Sequence, residues 1–381
     1  MRRRIGSLVL ISLLPLAACQ SSSDGGFTDN GGTASSTGGA SPSTGGSVQT
    51  SAGATSSAGA SGAGASSGMA SGIGGTPGTG AAGASAGGVS AGGVSAGGVS
   101  AGGSSPGGAG AGGAPSTDIC TRWKADRADL SEGTWSGDVA SCNAGDLSAN
   151  ARANALRVVN LYRFLAGLPA VTTDPAFDAG DQACALMMRA NNDLSHTPPS
   201  TWTCFTQQGA DAAGSSNISG GQAVSSVDSY MIDDGNETTL GHRRWVLSNS
   251  LGPIGIGGTD KASCMHTLNG TGKAGKAWMS WPAPGTIPLQ ALNASRGRSV
   301  DITGWSIQSE KIDLSKAVVT VTMDGAMQPV TVTQLLANYG TKYAIDFIPQ
   351  GWKTQAGKTY SVAVSGVTPA ITYDVQIVDC K

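Results

Sequence analysis

From Gln20 to Ser116 the chain runs without a Lys, Arg or Glu, with Asp24 and Asp29 as its acids and Phe27 as its aromatic residue. Of the 59 glycines, 32 fall in this stretch. Apolar surface this sparse cannot offset the entropy of ordering a glycine-rich backbone, so the segment is expected to stay unfolded. Ala86–Ser100 repeats Ala-Gly-Gly-Val-Ser three times. One Val in five residues gives no face to stack, so a spacer is expected rather than a solenoid. As random coil it would reach roughly 50–60 Å. Folding is left to Thr117–Lys381.

Charge narrows the partners. The 381 residues carry a formal net charge of −2 with no basic cluster, which argues against a nucleic-acid surface. After the N-terminus no apolar run approaches bilayer length. The start reads as a targeting segment: Met1–Arg4 is basic, Ile5–Leu16 is a short apolar core, and the small residues Ala17 and Ala18 follow. Leu16-Ala17-Ala18-Cys19 resembles the lipobox of bacterial lipoproteins. That resemblance implies cleavage after residue 18, a lipid on Cys19 as the membrane partner, and an exported protein anchored to the cell envelope. Gln20, not Asp, follows the cysteine, which favours the outer membrane or cell surface.

Six cysteines remain: Cys120, Cys142, Cys184, Cys204, Cys264 and Cys380. With an even number, export and no Cys-x-x-Cys spacing, disulfides are expected over a metal cluster. The nearest-neighbour scheme pairs Cys120–Cys142, Cys184–Cys204 and Cys264–Cys380.

Hydrophobic spacing predicts helices first and strands later. Ser148 is placed to cap a helix to about Ala166, with Val158, Leu161, Tyr162 and Leu165 on one face. Asp174-Pro175 opens a second helix through Met188. A third runs from about Gly221 to Asp234, and a short one carries Leu240–Leu247. From about Leu289 the period becomes two, over Val318–Met323, Val330–Thr333, Tyr343–Ile348, Tyr360–Val364 and Ile371–Val378. Asp324-Gly325 marks a hairpin.

Within Thr117–Lys381 the usual catalytic signatures are missing: no Gly-x-Ser-x-Gly elbow, His-Glu-x-x-His pair or phosphate loop occurs there. Three histidines exist, His196, His242 and His266. His266 reads as a surface residue, and Arg243-Arg244 as solvated bases or a clamp for an anionic ligand. Trp245, Trp278 and Trp281 suit a groove, though large aromatics more often fill a core.

Several short motifs occur in a telling order. Asn160-Leu161-Tyr162-Arg163 with Gly167-Leu168-Pro169 is followed by Ala185–Arg189 with Leu194-Ser195-His196. Ser215-Ser216-Asn217, Val227-Asp228-Ser229-Tyr230-Met231 and Gly241-His242-Arg243 come after. Over about Ala149–Pro288 the chain resembles the CAP superfamily of cysteine-rich secretory, antigen-5 and pathogenesis-related proteins. The resemblance implies a CAP-like α-β-α sandwich, placed over 117–288 of an α+β chain, and the period-two tail over 289–381 reads as a small Ig-like β-sandwich. Residues 1–18 are then the signal peptide and 19–116 the lipidated tether.

The same resemblance implies a cleft holding two histidines and two acids, occupied in some members by zinc or another divalent ion. Onto this sequence it carries His196, Asp233 and His242 as metal ligands, each expected at a helix end, with Ser216 where the second acid would stand. A hydroxyl is a poor ligand for such a metal. Two imidazoles, one carboxylate and a water would still make the open geometry of catalytic zinc. Two functions follow. One is a surface-displayed binding module for an apolar or carboxylate ligand, since family members include binders of sterols and fatty acids; a lipid, a sterol or an extracellular protein is then the partner. The other is a metal-dependent extracellular hydrolase, in which Asp233 would have to serve as ligand or base. The missing acid moves weight toward binding.

Overall fold

The computed structural model describes residues 116–295 and 297–381. The signal segment, Cys19 and the glycine-rich tract lie outside the described residues. Among these described residues no helix is long and apolar enough to cross a membrane.

Helix α1 spans Ser116–Asp126, α2 Ala149–Leu165, α3 Pro175–Asn191, α4 Gln207–Ala213, α5 Ala223–Ile232 and α6 Gly241–Val246. The expected cap of α3 is present, with the Asp174 side chain accepting from the Ala176 N–H. Ser148 stands at the N-cap of α2, but its hydroxyl accepts from Thr134 N–H instead of from the helix. Strands β1 (Ser216–Ser219), β2 (Ile256–Gly258) and β3 (Ser263–His266) form an antiparallel sheet in the order β1-β3-β2. Both of its faces are covered. Ile218 and Cys264 join an apolar cluster with Cys184, Ala185 and Met188 of α3 and Ala212 and Ala213 of α4. Ile256 and Met265 pack instead with Val158 and Leu161 of α2 and Val227 and Met231 of α5. Helix–sheet–helix layering follows, each buried aliphatic side chain contributing on the order of 1.5–3 kcal/mol. Gly257 explains the tightness on the α3 side, since a Cβ there would run into the Asp181 backbone.

Two further sheets complete the fold. One has the order β4-β6-β10-β9, from Met279–Trp281, Trp305–Ser309, Tyr343–Pro349 and Val330–Gln334. The other has the order β5-β12-β11-β7-β8, from Gly285–Pro288, Ile371–Val378, Thr359–Ser365, Val318–Met323 and Ala326–Gln328. Alternation is clean in β11 and β12, where Tyr360, Val362 and Val364 and then Ile371, Tyr373, Val375 and Ile377 are buried. The β7–β8 hairpin turns at Asp324 and Gly325, with φ of 52° and 77°, the left-handed pair such a turn requires. Strand β6 is buried on both faces. Trp305 and Ile307 enter the core, while Gln308 Nε2 donates to the carbonyls of Arg244 and Leu247. Strands β4 and β5 precede the expected boundary at 288/289, yet they hydrogen-bond to β6 and β12 of the later part.

All six cysteines are paired, but the nearest-neighbour scheme is corrected. The bridges are Cys120–Cys380, Cys142–Cys204 and Cys184–Cys264. Sequence distance misleads because α1 and the C-terminus meet in space, and because β3 lies directly on α3. The three disulfides mark an extracellular or secreted protein.

Candidate functional site

A cavity of about 250 Å³ opens among Leu194, His196, Ile218, Tyr230, Asp233 and His242, with Ser219, Gly220, Ser229, Asp234, Gly235 and Asn236 completing its wall. Each histidine reaches it for a local reason. Helix α3 ends at Asn191, with Asn192 in the left-handed region, so His196 does not end that helix as the sequence suggested. It stands in the loop beyond, where Nδ1 donates to the Ala213 carbonyl at 2.8 Å. Burial lowers its pKa and outweighs that bond, and nearby His242 lowers it further, so the ring is neutral at pH 7.

Asp233 is the left-handed C-cap of α5, at φ 60°. One of its oxygens accepts from His242 Nδ1 at 2.8 Å and from Asn236 Nδ2 at 3.0 Å. The other accepts from the Arg243 N–H at 3.1 Å. The carboxylate is thus spent on holding the first turn of α6. Tyr230 lies behind, its ring centroid 5.0 Å from that of His242 and its hydroxyl donating to the Asn217 carbonyl.

Ser216 does not join this cavity. It is buried on β1, and its hydroxyl donates to Asp181 Oδ1 at 2.6 Å. Asp181 also accepts from the His266 N–H at 2.8 Å, and burial raises its pKa to about 7 against those two bonds. The metal set fares no better. With Asp233 already accepting three hydrogen bonds and both Nδ1 atoms committed, one Nε2 on each imidazole is left. Among the described residues no group of three or more His, Cys, Asp and Glu is placed to hold a metal ion. These residues do not fit a zinc centre.

The two arginines after His242 are neither solvated nor a ligand clamp. Both are fully buried. Arg243 donates to the carbonyls of Met231, Ile232 and Gly304 and to Thr303 Oγ1. Arg244 donates to the carbonyls of Thr239, Leu336 and Thr341. They fasten α6, and so His242, to the end of α5 and to the C-terminal strands. His266 is half-buried and stacked on Phe177 with centroids 4.0 Å apart, not a free surface residue. Trp281 is core, in edge contact with Tyr162 at 5.5 Å.

The family model of the cysteine-rich secretory protein family, CAP, matches residues 156–263. The chain contains a CAP superfamily domain. The match runs from α2 into β3 and includes His196, Ser216, Asp233 and His242, so the CAP helices and first sheet carry the cavity. No curated protein and no solved structure matches the chain. Sequence reasoning missed Asp181 of the CAP domain. Its signal was present: Phe177, Asp181, Cys184 and Met188 follow helical spacing, and an acid on that stripe points inward. Leu194 and Ile218, the apolar walls, have no comparable signature.

Proposed function

We propose that the protein is an exported lipoprotein, anchored through a lipid on Cys19, that displays its CAP domain at the cell surface as a binding module for a small, uncharged, largely apolar ligand. The CAP domain and the disulfides make it an extracellular-type interaction module; the anchor and the ligand are the proposed part. One observation carries the ligand class. Among the described residues none lining the cavity is Lys or Arg, His196 is held neutral, and Asp233 and Asp234 stand in the wall, so a carboxylate is disfavoured while Leu194, Ile218 and Tyr230 offer apolar contact. The carboxylate half of the earlier expectation is therefore set aside. A cavity of about 250 Å³ suits an alkyl chain end or an apolar side chain of a partner protein better than a whole sterol.

The Asp233–His242 pair supports a second reading, a hydrolase that needs no metal, because an imidazole oriented by a carboxylate through Nδ1 keeps Nε2 for a proton. No nucleophile lies in hydrogen-bond contact with that nitrogen among the described residues, and binding is preferred.

Two arms test the proposal. Cys19→Ala should release the protein from the membrane fraction. Titrating the full chain with n-octanol and with octanoate, read by the NMR shifts of the His196 and His242 rings, should give saturable changes with the alcohol and much weaker ones with the carboxylate. Leu194→Asp should abolish them. Equal response to both probes, or none to either, overturns the ligand class.

A further inference from the structure

A second, more open pocket of about 370 Å³ is lined by Trp245, Ser250, Leu268, Asn269, Gly270, Glu310, Asn338, Gly340 and Thr341. Trp245 comes from α6, Ser250 from the loop behind it, Leu268, Asn269 and Gly270 from the loop after β3, Glu310 from the bend after β6, and Asn338 from the turn before β10. We propose that this pocket binds a neutral saccharide, with one sugar face on the Trp245 ring and ring hydroxyls shared between Glu310 and Asn338.

Three observations support it. First, the walls are fixed by bonds within the protein. Asn269 accepts from the Gly252 N–H at 3.1 Å and donates to the Pro253 carbonyl, and the Ser250 hydroxyl pairs with Ser248. The Asn338 turn closes through its N–H to the Thr341 carbonyl at 3.0 Å, with φ of 69° at Asn338 and 71° at Gly340. A side chain at Gly340 would collide with the Arg244 carbonyl, so the turn sits directly on α6. Second, the side chains of Trp245, Glu310 and Asn338 form no hydrogen bond or ion pair among the described residues. Trp245 is a half-buried indole, and Glu310 and Asn338 are exposed. A large aromatic left partly open beside unspent polar groups is arranged for a ligand with one apolar face and a polar edge.

Third, the donor set discriminates between ligand classes. A cation on Trp245 would want acceptors alone. Here an indole N–H and an amide NH₂ stand beside the carboxylate, and hydroxyls are the groups that both donate and accept. Lys342 lies close enough to Glu310 for each charge to act on the other, which tempers the negative field. Glu310 still disfavours acidic sugars. The volume falls within the range of about 300–1,000 Å³ usual for small-ligand sites.

The experiment uses the full-length purified protein and a panel of neutral oligosaccharides of glucose, mannose, galactose and N-acetylglucosamine. Polygalacturonate fragments and a tetralysine peptide serve as controls, with binding followed by tryptophan fluorescence and calorimetry. At least one neutral oligosaccharide should bind with one-to-one stoichiometry. Trp245→Ala should weaken it at least tenfold, and Glu310→Gln and Asn338→Gly several-fold each. The last two lie on the surface, and glycine tolerates the left-handed turn, so they report even if the tryptophan variant misfolds. Failure of every neutral sugar to bind, preference for tetralysine, or affinity indifferent to Glu310→Gln and Asn338→Gly overturns the proposal.

Discussion

Asp233 accepts from the ring of His242 through one carboxylate oxygen, at 2.8 Å, and from the backbone N–H of Arg243 through the other, at 3.1 Å. A single buried side chain therefore sets the tautomer of a cavity residue and starts the helix that carries it. Asp233→Asn keeps the volume but has only one oxygen to accept with, so the donors on His242, Asn236 and Arg243 can no longer all be satisfied. A loss of about 1–3 kcal/mol in urea unfolding is expected. A variant as stable as the native protein would show that the pair holds nothing.

Ser216→Glu is the next test, because the CAP resemblance and the structure disagree about it. By resemblance it would restore a missing acid to the cleft. In the structure position 216 is buried against Asp181, so the new carboxylate would meet another acid away from the histidines. The variant should be markedly less stable, with a lower Tm and no gain in zinc affinity. A folded variant that binds zinc more tightly would contradict this placement.

Asp181 should also shape the pH dependence of stability. Its folded pKa is raised to about 7, chiefly by burial, whereas an unfolded aspartate titrates near 3.9. Between those values the folded state binds more protons than the unfolded one. Its contribution to stability accordingly falls as pH rises from about 4 to 7 and levels off above. Asp181→Asn should remove that slope. Unfolding curves at pH 5 and pH 7.5 check it: the difference in stability between native protein and variant should change over the interval, and parallel behaviour would contradict the assignment.

The fragment 117–288 should not fold on its own. It would leave β4 and β5 without β6 and β12, strip Arg243 of its Gly304 and Thr303 acceptors, and remove Cys380 from Cys120. Broad, non-cooperative thermal melting by circular dichroism is the expected result. A sharp transition would mean that the C-terminal strands are dispensable to the CAP helices.

Much of this architecture can be read from local pattern, because local physics decides it. The stripe Val158, Leu161, Tyr162 and Leu165 makes α2 legible, the Asp174-Pro175 cap opens α3, and strict alternation marks β11 and β12. Strands β1 and β3 were not legible: they are four residues each, buried on both faces, and show no period. Arg243 and Arg244 misled for a related reason, since burying a guanidinium depends on carbonyls more than fifty residues away. His196, Asp233 and His242 were placed by motif order. Ser216 was not, because the motif says nothing of which way a β1 side chain points.

The most direct test of the cavity as a ligand site rather than a metal centre is a long-range ¹H–¹⁵N spectrum of His196 and His242 at neutral pH, before and after one equivalent of zinc. The account predicts two rings protonated at Nδ1, one on the Ala213 carbonyl and one on Asp233, and resonances that zinc leaves in place. Stoichiometric movement of both Nε2 signals to metal-bound positions would contradict it.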